Sequence, residues 1–222
     1  MLHKTRGIVF RFIKYGDTSI IVNIFTEVFG LQAYIVNGVR SKSAKSKIAL
    51  YQPLTFLEMV VYHRANAKIN RIKEVRCLRP FQSLILDVKK SAVAMFVSEV
   101  LNKTVREESH TQEMFDFLLE AISAFDRQVQ HYENFHLIFL LKLSRLLGFG
   151  PRSANEVVAG RPSDRGIDQI INECIAAGYD TVLTMSNTQR RMVLDFLLGF
   201  FSDHIENLGE FRSVKVLQEV MN

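Results

Sequence analysis

Residues 7–30 read GIVFRFIKYGDTSIIVNIFTEVFG. Two runs within it, Gly7-Ile-Val-Phe-Arg-Phe-Ile13 and Ser19-Ile-Ile-Val-Asn-Ile-Phe-Thr26, are crowded with β-branched and aromatic residues. Such side chains pack well on a pleated surface and lose rotamer freedom in a helix. Tyr15-Gly-Asp17 follows the first run and Val28-Phe-Gly30 the second, each supplying a glycine for a tight reversal. The stretch therefore reads as a hairpin and the turn into a third strand. Three more runs of this character, Leu31–Val36, Leu54–Tyr62 and Ile69–Leu78, come before Pro80. Five short strands in that length predict a small Greek-key barrel of the OB type, with an SH3-like barrel as the structural rival.

Beyond Pro80 the apolar spacing changes from two to three and four. Val93, Phe96, Val97, Val100 and Leu101 form one stripe, Phe115, Leu118, Leu119, Ile122 and Phe125 a second, and Leu137, Leu140, Leu141 and Leu147 a third. Ser109 and Thr111 are candidate N-caps for the second helix, and Gly148-Phe-Gly-Pro151 stops the third. A polar segment from Pro151 to about Asp164 reads as irregular. It is followed by helices over Ile167–Ala177, Thr188–Glu206 and Val214–Val220. The expected class is α+β multidomain, with an OB-fold barrel over residues 1–80 and an all-α helical bundle over 81–222.

Charge divides at the same place. Residues 1–80 hold fourteen Lys and Arg against four acids, a net of +10, while the remainder holds fourteen against nineteen, a net of −5. A basic domain attracts polyanions, largely through counterion release. The two cysteines, Cys77 and Cys174, form no CxxC pair, and the scattered histidines include no HExxH, so neither a thiolate zinc site nor any other metal cofactor is expected. No phosphate-binding glycine loop, nucleophile elbow or acid cluster spaced for magnesium occurs, and a small-molecule substrate has no visible seat. Glu107 and Glu108 near His110 are the one acid–base candidate, and adjacent carboxylates there suit a solvated helix start. The chain is read as a non-enzyme. With no signal-peptide core and no long apolar run, it is expected to be cytoplasmic and off the membrane.

A basic constellation stands out instead: Lys4, Arg6, Arg11, Lys14, Arg40, Lys42, Lys45, Lys47, Arg71 and Lys73, interleaved with Phe12, Tyr15 and Tyr34. Cations on a barrel surface can track phosphates, and exposed aromatic rings can stack on bases. The segment Gly38–Lys47, GVRSKSAKSK, places four cations among three serines with no acid. Such a run repels itself unless an anion is near, which marks it as a phosphate-gripping loop on the barrel rim. An RNA-binding OB-fold adaptor is the alternative to a DNA-binding one.

Several of these segments occur in a familiar order: Lys4-Thr-Arg-Gly-Ile-Val-Phe-Arg-Phe12, Tyr15-Gly-Asp-Thr-Ser-Ile-Ile-Val22, Phe25-Thr-Glu-Val-Phe-Gly-Leu31 and Gly38-Val-Arg-Ser-Lys-Ser-Ala-Lys45. With Leu146-Leu-Gly-Phe-Gly-Pro151 and Phe211-Arg-Ser-Val-Lys-Val-Leu217, the chain resembles the RecO family of bacterial recombination-mediator proteins. The resemblance implies an OB-fold followed by helices and a non-enzymatic, cytoplasmic and nucleoid-associated role in DNA repair. It further implies binding of single- and double-stranded DNA, strand annealing, contact with RecR and with the acidic C-terminal tail of the single-stranded-DNA-binding protein, and indirect help in loading RecA. Arg40, Lys42, Lys45 and Lys47, joined by Lys4, Arg6 and Arg11, would then bind DNA. A tail of that kind needs an apolar pocket beside a cation, for which Lys142 and Arg145 next to Leu141 and Phe149 are the candidates. Many members of the family carry a four-cysteine zinc module, whereas this chain has Cys174 alone in the corresponding region.

Overall fold

The computed structural model describes residues 1–41, 45–64, 67–105 and 111–221. Five strands, β1 (Leu2–Tyr15), β2 (Ser19–Thr26), β3 (Gly30–Val36), β4 (Phe56–Tyr62) and β5 (Asn70–Arg79), close into a barrel in the order β1-β2-β3-β5-β4. The neighbours are antiparallel except β3 and β5, which run parallel and pair Tyr34 with Asn70 and Ile35 with Arg71. β1 is long enough to serve both sides, pairing β4 through Leu2–Ile8 and β2 through Gly7–Tyr15. This is the OB-like Greek-key order, and the SH3-like alternative falls away. β1 begins five residues before the run that announced it, at Leu2, because Lys4 and Arg6 face outward and interrupt the apolar pattern.

Two local features let β1 do this. Gly7 sits where β1 passes from one partner to the other, and a Cβ there would lie 2.6 Å from Ile24 Cγ2 and 2.7 Å from Met59 Cε. A β-bulge between Val9 and Arg11 then shifts the register against β2. Strict alternation would send Arg11 into the barrel and Phe12 out of it. With the bulge, Arg11 pairs Asn23 on the exposed outer face while Phe12 packs against the interior cluster of Val9, Ile20, Val22, Ile24 and Leu57.

The β3–β4 connection, read from sequence as a loop, contains α1 (Lys45–Ile48) and a 3₁₀ turn at Ala49–Tyr51; Lys42 lies outside the described residues. Among the described residues seven helices follow the barrel: α2 (Val88–Thr104), α3 (Thr111–Arg127), α4 (Phe135–Leu146), α5 (Ala154–Val158), α6 (Arg165–Ala176), α7 (Asn187–His204) and α8 (Ser213–Val220). Thr111 opens α3 itself instead of capping it, and Ser109, Glu107, Glu108 and His110 lie outside the described residues. α5 occupies the segment expected to be irregular. Its Val157 and Val158 are buried, and the Arg161 side chain ties their carbonyls to Asp203 on α7. Cys174 is buried in the helical core, where burial, reinforced by Glu173, pushes its thiol up to about 12. Among the described residues no helix is long and apolar enough to cross a membrane.

The barrel and the helices share one apolar core. Ile8, Phe10, Phe25, Leu54 and Phe56 belong to the barrel, yet they are buried with α2, α3 and the rest of the helices rather than in the barrel interior. Polar contacts lock the junction. Asp126, at the end of α3, accepts from the backbone N–H groups of Gln82, Ser83 and Leu84, and Asp87 caps α2 while accepting from the Tyr132 hydroxyl. Lys90 is 1% exposed; its ammonium donates to Ser83 Oγ and to the carbonyls of Phe125, Asp126 and Gln128, under the rings of Phe125 and Tyr132. The carbonyls that end α3 thus gain a buried charged donor.

Candidate nucleic-acid interface

The helices cover one side of the barrel and leave the other open. On the open side, strand pairing lines up a continuous row of outward-facing residues: Leu2, Tyr62, Arg71, Ile35, Ile21 and Ile13. Side chains directly opposite on neighbouring strands share a face, so these residues form a stripe and not a scatter. Leu2 and Ile13 are each 48% exposed, Tyr62 is 46% exposed, and Tyr15 at the end of β1 is 52% exposed. This is a partly apolar, partly aromatic surface with Arg71 set within it.

Cations flank the stripe. Lys4, Arg11, Lys14 and Arg71 are exposed and have no ion-pair partner among the described residues, and Lys47 is exposed on α1 beside Lys45. Lys73 lies 3.5 Å from Glu74 in an exposed pair that solvent weakens. Arg40 sits at the rim, where its guanidinium donates to the carbonyls of Gly16 at 3.0 Å and Ser19 at 3.3 Å. It clamps the β1–β2 turn against the start of the basic segment, so its first task is to shape the rim.

Three sets of residues singled out in the sequence have surroundings that bear on their roles. Arg6, expected on the DNA surface, holds Glu27 through two hydrogen bonds of 2.8 and 2.5 Å and lies 4.9 Å over the Phe115 ring. The hydrogen bond from Arg6 holds the Glu27 carboxyl below its usual range against the opposing effect of burial. This is a brace from barrel to α3. Tyr34, whose place the sequence left open between core and base platform, is fully buried inside the barrel, and burial raises its hydroxyl pKa. Lys142 and Arg145 lie in a wide groove that also holds Glu113, Asp116, Glu120 and Asp180. There Lys142 sits over the Tyr179 ring and Arg145 donates to the Ile175 carbonyl at 2.6 Å. Arg127 lines the groove as well, so four carboxylates face three cations and the groove offers an acidic tail no excess of positive charge.

Sequence reasoning passed over Tyr62, Ile21 and Ile35. Alternation along β2 and β3 could have placed the two isoleucines outward, since Val22 and Tyr34 between their neighbours point in. Their pairing with Arg71 depends on the parallel β3–β5 closure.

Residues 1–81 match the family described as Recombination protein O N terminal, and residues 85–195 match Recombination protein O C terminal. The chain is 33% identical to the DNA repair protein RecO of Flavobacterium psychrophilum, with 99% of each chain covered. It is 32% identical to the DNA repair protein RecO of Bacteroides fragilis and, equally, to that of Phocaeicola vulgatus, over the full length of both chains in each case.

Proposed function

The chain belongs to the RecO family of DNA repair proteins, and from that premise we propose that it is a recombination mediator whose barrel holds DNA and whose helices receive protein partners. The observation that carries the barrel half is the outward row of exposed Tyr62 and Ile13 and half-buried Ile35 and Ile21, crossed by Arg71 and flanked by cations without ion pairs among the described residues. Unpaired cations can trade counterions for phosphates, and an apolar stripe gives unstacked bases a surface to lie on. The DNA-binding set is Lys4, Arg11, Lys14, Lys47, Arg71 and Lys73, with Arg40 at the rim and with Lys42 and Lys45 from the same basic segment of sequence.

By screening phosphate repulsion, the barrel lets two complementary strands approach, which is the physical requirement of annealing. The work is binding without bond chemistry. Residues 1–80 serve as the nucleic-acid unit. Residues 81–222 serve as the unit that meets RecR and the C-terminal tail of the single-stranded-DNA-binding protein, so that RecA can load in the cytoplasm of the cell. The net charges of +10 and −5 on the two parts support this division, because the acidic part offers DNA little reason to bind.

The test is fluorescence anisotropy of labelled single-stranded DNA across a salt series, with Lys47, Arg71 and Lys73 together changed to alanine. Each lost phosphate contact lowers the log–log salt slope by about 0.7 for a single strand, so the triple variant should lose roughly two units along with affinity. An unchanged slope removes the barrel face from the DNA site. RNA of the same sequence, run in parallel, separates this reading from an RNA-binding adaptor, which requires clear preference for the 2′-hydroxyl.

A further inference from the structure

At the edge of the open barrel face, Asn23 on β2 donates through its side-chain amide to Asn102 Oδ1 on α2 at 2.9 Å. Arg11 pairs with Asn23 across the strands and so stands at the same edge. Beyond it, a groove of about 500 Å³ runs between the barrel, α2 and α8. Its walls include Phe12 from the barrel, Met95 from α2 and Val216 from α8. Met95 is 42% exposed and Val216 39% exposed, so this apolar lining is open to solvent.

The charges of the groove are unevenly occupied. Glu99 accepts from the backbone N–H groups of Arg212 and Ser213 and from Ser213 Oγ, at 3.0, 2.8 and 2.5 Å. Lys103 donates to the carbonyls of Leu208 and Glu210 and lies over the Phe211 ring. These two groups fasten α8 to α2. Arg11 and Arg212 are both exposed and have no side-chain partner among the described residues. They stand on the barrel and on the start of α8, with the apolar lining between them.

We infer that this groove is a second segment of the nucleic-acid site, which takes one unpaired strand from the barrel face past Arg11 and on to Arg212. The inference rests on the DNA-binding reading of the barrel and extends it onto the helical part. Guanidiniums at both ends suit successive phosphates, and the apolar lining between them suits a base that has left its stack. A duplex keeps its bases paired and its phosphates outermost, so only a single strand can present a base to Met95 and Val216. The acidic helical part then contributes one local cationic foothold despite its net charge.

Anisotropy with labelled single strands of about 8 and about 25 nucleotides tests this, the shorter within the footprint of one OB barrel and the longer beyond it. Arg212→Gln should bind the shorter strand as the wild type does. On the longer strand it should weaken binding by about three- to tenfold, with a salt slope smaller by roughly 0.7. Val216→Glu, an exposed position, should lower longer-strand affinity in the same direction, and thermal melts of both variants should match the wild type. Arg71→Ala serves as the barrel control and should weaken both lengths. If Arg71→Ala weakens binding while Arg212→Gln leaves the longer strand unchanged, the groove is overturned and the barrel reading stands. If neither variant weakens binding, both readings fall.

Discussion

Replacing Phe10 by alanine should destabilise the helices as much as the barrel. Phe10 is a strand residue with no solvent exposure, stacked on Phe25 at 5.8 Å between ring centroids, and its carbonyl accepts a hydrogen bond from Ser98 on α2. Truncating a packed Phe to Ala costs about 3–5 kcal/mol. With a urea m-value of about 3 kcal/mol/M, the midpoint should fall by about 1–2 M. Ile8, Phe25, Leu54 and Phe56 share the seam. At about 1.5–3 kcal/mol for each buried side chain, the five together hold roughly 8–15 kcal/mol as an upper bound. That is about the whole net stability of a typical protein, near 5–15 kcal/mol. A fragment ending at residue 81 should therefore be unfolded or aggregated, whatever its strand pattern. The assay is a urea titration followed by circular dichroism for the helices and, in a Tyr132→Phe, Tyr179→Phe background, by fluorescence of the barrel tyrosines, of which Tyr34 and Tyr51 are buried. The two curves should coincide in the wild type and shift together in Phe10→Ala. Separate transitions, with only the tyrosine curve moving, or a fragment 1–81 that melts cooperatively by itself, would refute the shared-core argument.

Three further outcomes follow from buried or paired charges. Lys90→Met leaves the carbonyls of Phe125, Asp126 and Gln128 without their charged donor and should cost about 2–4 kcal/mol in a denaturant titration, against near zero for Val88→Thr at an exposed position of the same turn. Arg6→Ala breaks the brace to Glu27 and Phe115 and should cost about 1–2 kcal/mol while leaving the DNA salt slope untouched; a flatter slope would return Arg6 to the DNA surface. His136 is buried, and burial, aided by the charge of Arg190, pushes its pKa down to about 3 from 6.5. The folded state therefore binds fewer protons than the unfolded state between those values. Stability is full above about pH 6.5 and falls by up to about 1.4 kcal/mol per unit as pH drops toward 3, a slope that His136→Gln should remove. As pH falls through the ordinary carboxylate range a second loss should begin, because the unfolded chain takes up protons there first, and it should be complete below the depressed folded values. There Glu27, held low by the hydrogen bond from Arg6, and Asp87, held low by that from Tyr132, become protonated.

The barrel was legible because strand signals are local. β-branched and aromatic runs ended by Tyr15-Gly-Asp17 and Val28-Phe-Gly30 placed β2 and β3 within one residue of their observed limits. The helical half was legible for the same reason, apart from α5, whose five residues are too few to show a period and hold their place through Val157 and Val158. The split of charge at Pro80 was also there to be read, since it needs only counting. The candidate site was half legible. Composition marked the cations as a group, yet nothing local distinguishes Arg6 from Arg71: both are outward arginines on strands. One meets Glu27 across the hairpin and Phe115 from a distant helix, and the other meets solvent.

By itself, then, the sequence determined which segments are strands and helices, where the basic part ends, and which residue types are present to meet a polyanion. The tertiary structure alone decided that the outer face carrying Ile8, Phe10 and Phe25 is core, that the bulge at Phe10 turns Arg11 outward, and that Ile13, Ile21, Ile35 and Arg71 form one row. The reason is physical. Secondary structure follows from periodicities within a few residues, whereas burial, ion pairing and cross-strand neighbours depend on residues tens of positions away, which only the closed barrel and its docked helices bring together.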